Sequence, residues 1–329
     1  MVKKRTILIG VSVLILITLI LVFKPKSFEK KTDQIFSDLS SYTLKGEMEI
    51  NKGEDIKNYI MEINYKKVED KEYFKVSLFD KNLNQEQILL RNSEGVFVVT
   101  PSLNQIFRFE GDWPLNSPKP YLIQTMFDII KQEDTIKEKT KDGTLIKNNV
   151  NYPNNKNYKY QETLFDSNSK PISIHIYDDN KTSQLQILFS SVEYNNDIDL
   201  KIFDSPKNID SNVSSIITTN DLPLYPTSIY NSTLKNKSTY EVNGETRHIL
   251  EYVGEKNFTI TQTLKQVNDT TQTVFKSGEM IDSIDMIGFY DGVSCLGYYQ
   301  NIEMNVYSSD LSVDEMMSVL SSLSVAVMK

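Results

Sequence analysis

Long stretches of the chain place apolar residues at every second position, and this pattern constrains the fold more than any other feature of the sequence. Two successive stretches carry it: Tyr59, Met61 and Ile63, and then Phe74, Val76 and Leu78. Successive side chains of a β-strand point to opposite faces, so the spacing predicts strands with one apolar face. The chain is therefore expected to be mainly β.

Further strands are predicted downstream, separated by turn-rich breaks such as the one that starts at Asn92. They cover residues 87–91, 95–100, 105–110, 158–165, 172–177 and 184–194. In this first part of the chain, helical spacing occurs at residues 27–39 and 119–131, and Leu122, Met126 and Ile130 lie on one side of the second helix. Many antiparallel strands at short intervals predict a curved sheet with helices against it.

A second unit is predicted after the break at Ser205 and Pro206. Its strands are predicted at 239–242, 247–253, 257–264, 286–290 and 302–307. A final helix follows, in which Ser312 and Glu315 have the spacing of a capping box. The predicted organisation is an N-terminal tip and anchor over residues 1–26, a β domain over 27–207 and a small α+β domain over 208–329.

The N-terminus carries an uncharged run from Thr6 to Phe23. Eighteen helical residues span about 27 Å, close to the hydrocarbon thickness of a bilayer. Lys3, Lys4 and Arg5 precede the run, which favours a cytoplasmic N-terminus and an extracytoplasmic body. We therefore expect a single-pass anchor in the cell membrane, with a cleaved secretory signal as the alternative.

Composition excludes several kinds of chemistry. The chain has a net charge of -8, one cysteine and two histidines. One cysteine excludes a disulfide framework, and two histidines leave little material for a histidine-based metal site or triad. The acidic charge argues against nucleic acid as a partner. His175, His248 and the thiol of Cys295 are expected to have structural roles. We expect no catalytic residues, no metal and no cofactor, and hence a protein that is not an enzyme.

The order of these elements resembles a known family. The strand "GEMEI", the hairpins "YFKVSLFDKNLNQEQILLRNSEGVFVVTPSLNQIFRFEGDWPL", an apolar helix, "SIHIYD" and "DLKIFDSP" resemble the LolA/LolB superfamily of extracytoplasmic lipoprotein-handling proteins. The ending "YSSDLSVDEMMSVLSSL" resembles the C-terminal module of RseB/MucB-type regulators and of sporulation and germination proteins of Gram-positive spore formers. The overall plan of the chain is similar to that of GerS-type germination lipoproteins. The resemblance implies a bent, incompletely closed antiparallel half-barrel with lid helices across its concave apolar face.

The resemblance also implies a function and a site. The implied function is a non-catalytic, membrane-anchored scaffold of the cell envelope in sporulation or germination, whose partner is an envelope protein such as a peptidoglycan amidase. The alternatives are a carrier of a lipid or lipoprotein acyl chain and an RseB-like envelope-stress sensor, and a homodimer stays open. The candidate ligand-binding residues line the cavity and its lid: Tyr59, Met61, Ile63, Phe74, Val76, Leu78, Leu122, Met126 and Ile130. Whether the lid or an apolar guest fills that cavity is the question that separates these functions.

Overall fold

A computed structural model describes residues 28–52, 56–82, 84–115, 117–153, 155–209, 219–267, 269–284 and 286–324. The chain forms two compact units, Met1–Asp38 and Leu39–Lys329. In the first unit the described residues form helix α1 (Phe28–Ser37), which confirms the helix predicted over 27–39. The predicted membrane segment, Thr6 to Phe23, lies outside the described residues.

The second unit contains twenty-one strands and two α-helices in its described residues. The first eleven strands are β1 (Ser41–Asn51), β2 (Ile56–Val68), β3 (Lys71–Asp80), β4 (Gln85–Asn92), β5 (Gly95–Thr100), β6 (Gln105–Phe109), β7 (Ile136–Lys139), β8 (Thr144–Asn149), β9 (Tyr160–Phe165), β10 (Pro171–Tyr177) and β11 (Ser183–Tyr194). The later strands are β12 (Tyr225–Pro226), β13 (Ser232–Val242), β14 (Glu245–Gly254), β15 (Phe258–Leu264), β16 (Gln272–Phe275), β17 (Glu279–Ser283), β18 (Met286–Tyr290), β19 (Ser294–Tyr299), β20 (Ile302–Tyr307) and β21 (Leu323–Ser324). The helices are α2 (Ile123–Ile130) and α3 (Val313–Ser321).

These strands form two large open sheets and one small one. The first, called the wall below, has twelve strands in the order β16-β6-β5-β4-β3-β2-β1-β11-β10-β9-β8-β7. All its neighbours are antiparallel except β16 with β6. The second sheet has seven strands in the order β13-β14-β15-β20-β19-β18-β17, and β12 pairs with β21. The prediction of a mainly β fold with an open antiparallel sheet is confirmed.

The second sheet is stabilised by α3, which packs on one of its faces. Met316, Val319 and Leu320 of the helix share an apolar cluster with Leu250 and Ile260 of the sheet. The predicted capping box is present: the Ser312 hydroxyl accepts a hydrogen bond from the Glu315 amide, and the Glu315 carboxylate accepts one from the Ser312 amide. This cap satisfies amides that the first helical turn would otherwise leave without partners.

Several elements differ from their predicted bounds. The predicted strands at 95–100, 286–290 and 302–307 coincide with β5, β18 and β20. Helix α2 is shorter at both ends than the helix predicted over 119–131. At its start, Pro120 disfavours a helical conformation at Lys119. Seven strands were not predicted: β7, β8, β12, β16, β17, β19 and β21. The domain boundary after residue 207 stays a prediction, although β16, which lies beyond it, pairs at the edge of the wall.

A buried ion pair ties the segment before α2 to the second sheet. The Lys119 ammonium lies 3.3 Å from Oδ2 of Asp282 on β17, and the two side chains are 1% and 2% exposed. The ammonium also donates to the Asp282 carbonyl at 2.6 Å, and Nε1 of Trp113 donates to Oδ2 at 2.7 Å. Burial lowers the pKa of Lys119, while the Asp282 charge opposes that change. The charged form therefore depends on this partner.

None of the helices in the described ranges combines the length and apolar character that a transmembrane span requires.

Replacing Lys119 by methionine removes the cation that faces the buried Asp282 carboxylate. We expect Lys119→Met to lower the free energy of unfolding by about 3–5 kcal/mol, because a buried charge that loses its partner is strongly destabilising. Urea-induced unfolding measures this change. The control is Lys147→Met, which breaks a solvent-accessible pair with Glu138 and should leave the unfolding midpoint close to that of the wild type. Equal unfolding midpoints for the two variants would contradict the role assigned to Lys119.

Candidate functional site

Six of the nine predicted site residues lie on one face of the wall, called the inner face below. Directly opposite residues of an antiparallel pair share a face. Met61 lies opposite Leu78, and Ile63 opposite Val76. The same face continues across the sheet, because Tyr59 pairs with Met48, and Met48 pairs with Ile187. All six predicted residues are buried: Tyr59, Met61, Ile63, Phe74, Val76 and Leu78.

The three predicted lid residues, Leu122, Met126 and Ile130, are buried as well. Helix α2 contacts the inner face through the residues around them. The Tyr42 hydroxyl donates to Oε1 of Gln124 at 2.8 Å, and the ring centroids of Phe127 and Phe165 are 6.5 Å apart. The predicted lid therefore covers the part of the inner face formed by the strands around β1 and β9.

The second sheet covers the part of the inner face formed by β5 and β6. The Phe289 ring stacks on Phe109, with centroids 4.8 Å apart, and the Tyr298 ring stacks on Phe107 at 5.0 Å. Polar contacts fix the same junction, since the Ser102 hydroxyl donates to the Gln300 carbonyl at 2.9 Å. Sequence reasoning did not predict this contact, because it treated residues 208–329 as a separate domain.

Little space remains between these elements. Two gaps on the inner face, both bordered by Gln85, Gln87 and Tyr298, have volumes of about 20 and 40 Å³. A cavity of about 10–15 Å³ holds one water molecule, so each gap has room for only a few. Side chains of α2 and of the second sheet pack against the inner face on both sides of these gaps. That the nine residues bind a ligand stays a prediction.

A larger cleft opens at the β4–β5 turn and at the C-terminal ends of β6 and β16. Its volume is about 350 Å³. It is lined by Arg91, Asn92, Ser93, Glu94, Gly95, Arg108, Phe109, Glu110, Gly111 and Phe275. The Phe275 side chain, on edge strand β16, is 57% exposed. The cleft thus combines two arginines, an exposed aromatic ring and two carboxylates.

Both arginines are held in place by the chain around them. Arg91 donates to the Trp113 carbonyl at 2.9 Å and lies 3.7 Å from the Asp112 carboxylate. Arg108 donates to the Glu94 carbonyl at 2.6 Å, and its guanidinium lies over the Phe97 ring at 5.7 Å. A guanidinium has five N–H donors, so each arginine keeps donors for a further partner. Sequence reasoning missed this cleft, because β16 pairs with a strand that lies about 165 residues earlier in the chain.

The candidate reactive groups take structural places. Cys295 is buried against Met317 of α3, and burial raises the pKa of its thiol to about 12, which makes it a poor nucleophile. His175 lies on the outer face of the wall beside Tyr177. Nδ1 of His248 shares a hydrogen bond with the Thr239 hydroxyl at 3.1 Å. Within the described ranges no group of three or more His, Cys, Asp or Glu side chains could hold a metal ion.

Comparison with known proteins gives the family. No known family profile matches the sequence. The sporulation protein YdcC of Bacillus subtilis (strain 168) is 30% identical over 305 residues, which cover 88% of this chain and 88% of that protein. The chain belongs to the YdcC family.

Solved structures similar to this YdcC family member include two protein complexes. The complex of MucA and MucB from Pseudomonas aeruginosa matches at 9% identity and a TM-score of 0.32, over 91% of this chain and 99% of that chain. The complex of the CwlD amidase from Clostridioides difficile with the GerS lipoprotein matches at 14% identity and a TM-score of 0.23, over 52% and 98%. The MucB and GerS types resembled by the sequence thus also occur among these solved structures.

Truncating one lid residue tests whether α2 fills the inner face in this YdcC family member. We expect Met126→Ala to lower the free energy of unfolding by about 2–5 kcal/mol, because it creates a cavity among buried side chains. Urea-induced unfolding of the full chain gives the value. Asp128→Ala, at an exposed position of the same helix, should change it by no more than about 0.5 kcal/mol. A loss of less than about 1 kcal/mol of unfolding free energy for Met126→Ala would contradict tight packing of α2 on the inner face.

Proposed function

We propose that this YdcC family member is a non-catalytic, membrane-anchored protein of the cell envelope that acts in sporulation by binding another envelope protein. The uncharged run from Thr6 to Phe23, with basic residues before it, supports a single-pass anchor with the body outside the cytoplasm. The family resemblance in the sequence makes a peptidoglycan amidase a suitable class of partner.

One observation carries this proposal: the inner face of the wall is covered by α2 and by the second sheet. A carrier or sensor of acyl chains needs a cavity of several hundred cubic ångströms for a drug-sized apolar guest. The gaps on the inner face are about ten times smaller. A partner would then bind to the outer surface of the protein, which favours a binding protein over a carrier or sensor of acyl chains.

The cleft beside β16 is the surface best suited to a protein partner. Aromatic residues and arginine are enriched at protein interfaces and among the residues that dominate their binding energy. Phe275 offers an exposed ring, and Arg108 offers fixed donors next to it. Glu94 and Glu110 at the rim carry the opposite charge. A partner with a small apolar pocket and a carboxylate beside it would match this arrangement.

Truncating the Arg108 and Phe275 side chains of the cleft tests the proposal. The full chain is expressed in sporulating cells as the wild type and as Arg108→Ala/Phe275→Ala, then cross-linked, purified and analysed by quantitative mass spectrometry. We expect the wild type to capture one envelope protein. The captured amount should be at least about tenfold lower with the variant, since losing about 1.4 kcal/mol of binding energy lowers affinity tenfold.

A matched variant controls for general surface effects. Lys139→Ala/Leu188→Ala also removes one exposed basic and one exposed apolar side chain, but these lie on β7 and β11, away from the cleft in the strand order of the wall. It should capture the partner as the wild type does. Equal capture by all three chains, or capture of no envelope protein by the wild type, would contradict the proposal.

A further inference from the structure

Strand β16 forms one side of the cleft, and it reaches the wall from the second sheet. In the chain it lies between β15 and β17, which both belong to the second sheet. It pairs in parallel with β6 over four residue pairs, from Gln272 with Gln105 to Phe275 with Arg108. The Phe275 ring of the cleft therefore lies on a strand that leaves the second sheet to pair at the edge of the wall.

The strand has few contacts of its own to hold it there. Of its four residues, Val274 is half-buried and the others are exposed. Burial of apolar surface is the main favourable term in packing, and a parallel strand pair is slightly less stable per residue than an antiparallel one. Segments with few buried apolar contacts open at a lower free energy than the core of a protein. The attachment of β16 therefore depends on what holds its two ends.

Hydrogen bonds hold the N-terminal end of β16. The Thr271 hydroxyl donates to Oδ1 of Asn104 at 2.6 Å and accepts from the Ile209 amide at 2.9 Å. The Gln272 amide donates to the Asn104 carbonyl at 3.2 Å. These three bonds fix the position at which β16 begins to pair with β6.

Lys276 holds the C-terminal end at the junction of the wall with the second sheet. Its amide donates to the Arg108 carbonyl at 3.0 Å. Its ammonium lies 5.2 Å from the ring centroid of Phe107 on the wall and 5.8 Å from that of Tyr298 on the second sheet, and it donates to the Tyr298 hydroxyl at 3.5 Å. Burial lowers the pKa of Lys276. A cation over aromatic faces is attracted by the rings, and more strongly where water is partly excluded.

Alternation along the strand connects this lysine to the cleft. Successive side chains of a strand point to opposite faces of a sheet. The Lys276 ammonium lies against Phe107 on the inner face, so the preceding side chain, Phe275, points to the outer face. Arg108 follows Phe107 in β6 and points to the outer face for the same reason. Fixing Lys276 at the junction therefore fixes the Phe275 ring beside Arg108.

We propose that β16 is a strap that docks on the wall, with Lys276 as the positioning residue that completes the cleft, an inference that rests on the function proposed for that cleft. Undocking of the strap removes Phe275 from the cleft and leaves Arg108 without its aromatic neighbour. The apparent affinity for a partner then scales with the fraction of chains whose strap is docked. A lysine that lies on the inner face, outside the cleft, thus sets how strongly the cleft binds.

Hydrogen exchange followed by mass spectrometry measures docking of the strap without any partner. The full chain is compared as the wild type, Lys276→Ala and Lys276→Arg. Exchange at residues 272–276 should be at least about threefold faster in Lys276→Ala. It should stay close to the wild-type rate in Lys276→Arg, since arginine also binds aromatic faces. Lys235→Ala, at an exposed lysine of β13, is the matched control and should leave this rate unchanged. An unchanged rate in Lys276→Ala would overturn the inference.

Capture from sporulating cells, done as for the cleft variants, measures the effect on partner binding. The captured amount should be at least about threefold lower with Lys276→Ala and close to that of the wild type with Lys276→Arg and Lys235→Ala. Faster exchange in Lys276→Ala without a loss of capture would overturn the role of the strap in the cleft.

A disulfide that holds the strap on the wall separates positioning from a general loss of structure. Gln105 and Gln272 lie opposite each other, and neighbouring strands are about 4.8 Å apart, which is within the range of Cα distances in disulfides. Adding Gln105→Cys/Gln272→Cys to the Lys276→Ala chain should restore capture under oxidising conditions and not after reduction. Failure to restore it would contradict the role of Lys276.

The two proposals fail in different ways. Absence of any captured envelope protein with the wild type contradicts the function proposed for the cleft. Unchanged hydrogen exchange in Lys276→Ala contradicts the docking strap alone, because that measurement needs no partner.

Discussion

An open sheet with an apolar inner face cannot bury that face by itself, and covering it is the requirement on which this structure depends. Helix α2 covers one part through Phe127, and the second sheet covers another through Phe289. The two coverings are joined by the buried pair of Lys119 and Asp282. A buried pair of this kind adds little net stability but is costly to break, so it fixes the relative positions of the elements it joins.

This arrangement supports the proposed choice among the functions that the sequence left open. If only α2 covered the inner face, the structure would favour a movable lid over an apolar cavity. The second sheet instead stacks Tyr298 on Phe107 and leaves gaps for a few waters. The surface proposed for recognition lies outside, at the cleft with Arg108 and Phe275.

The sequence predicted local features and missed distant ones, for a physical reason. Alternation around Met61 and the capping box at Ser312 depend on neighbours within a few residues, so pattern reasoning found the strand and the helix. Asp282 meets Lys119 across 163 residues, and β16 pairs with β6 across a similar distance. Nothing in the local pattern around Phe275 indicates such pairing. All nine predicted site residues are buried, but the sequence could not show what covers them.

The most direct measurement of the central claim is photolabelling by a membrane lipid. Cells that express the full chain are fed a diazirine-bearing fatty acid, illuminated, and the labelled peptides are mapped by mass spectrometry. A filled inner face predicts no label on the strands that carry Tyr59 to Leu78 or on α2, while label on residues 6–23 would serve as the internal positive control for the proposed anchor. Label on Met61, Val76 or Met126 would contradict the account, because it would place an acyl chain inside the wall.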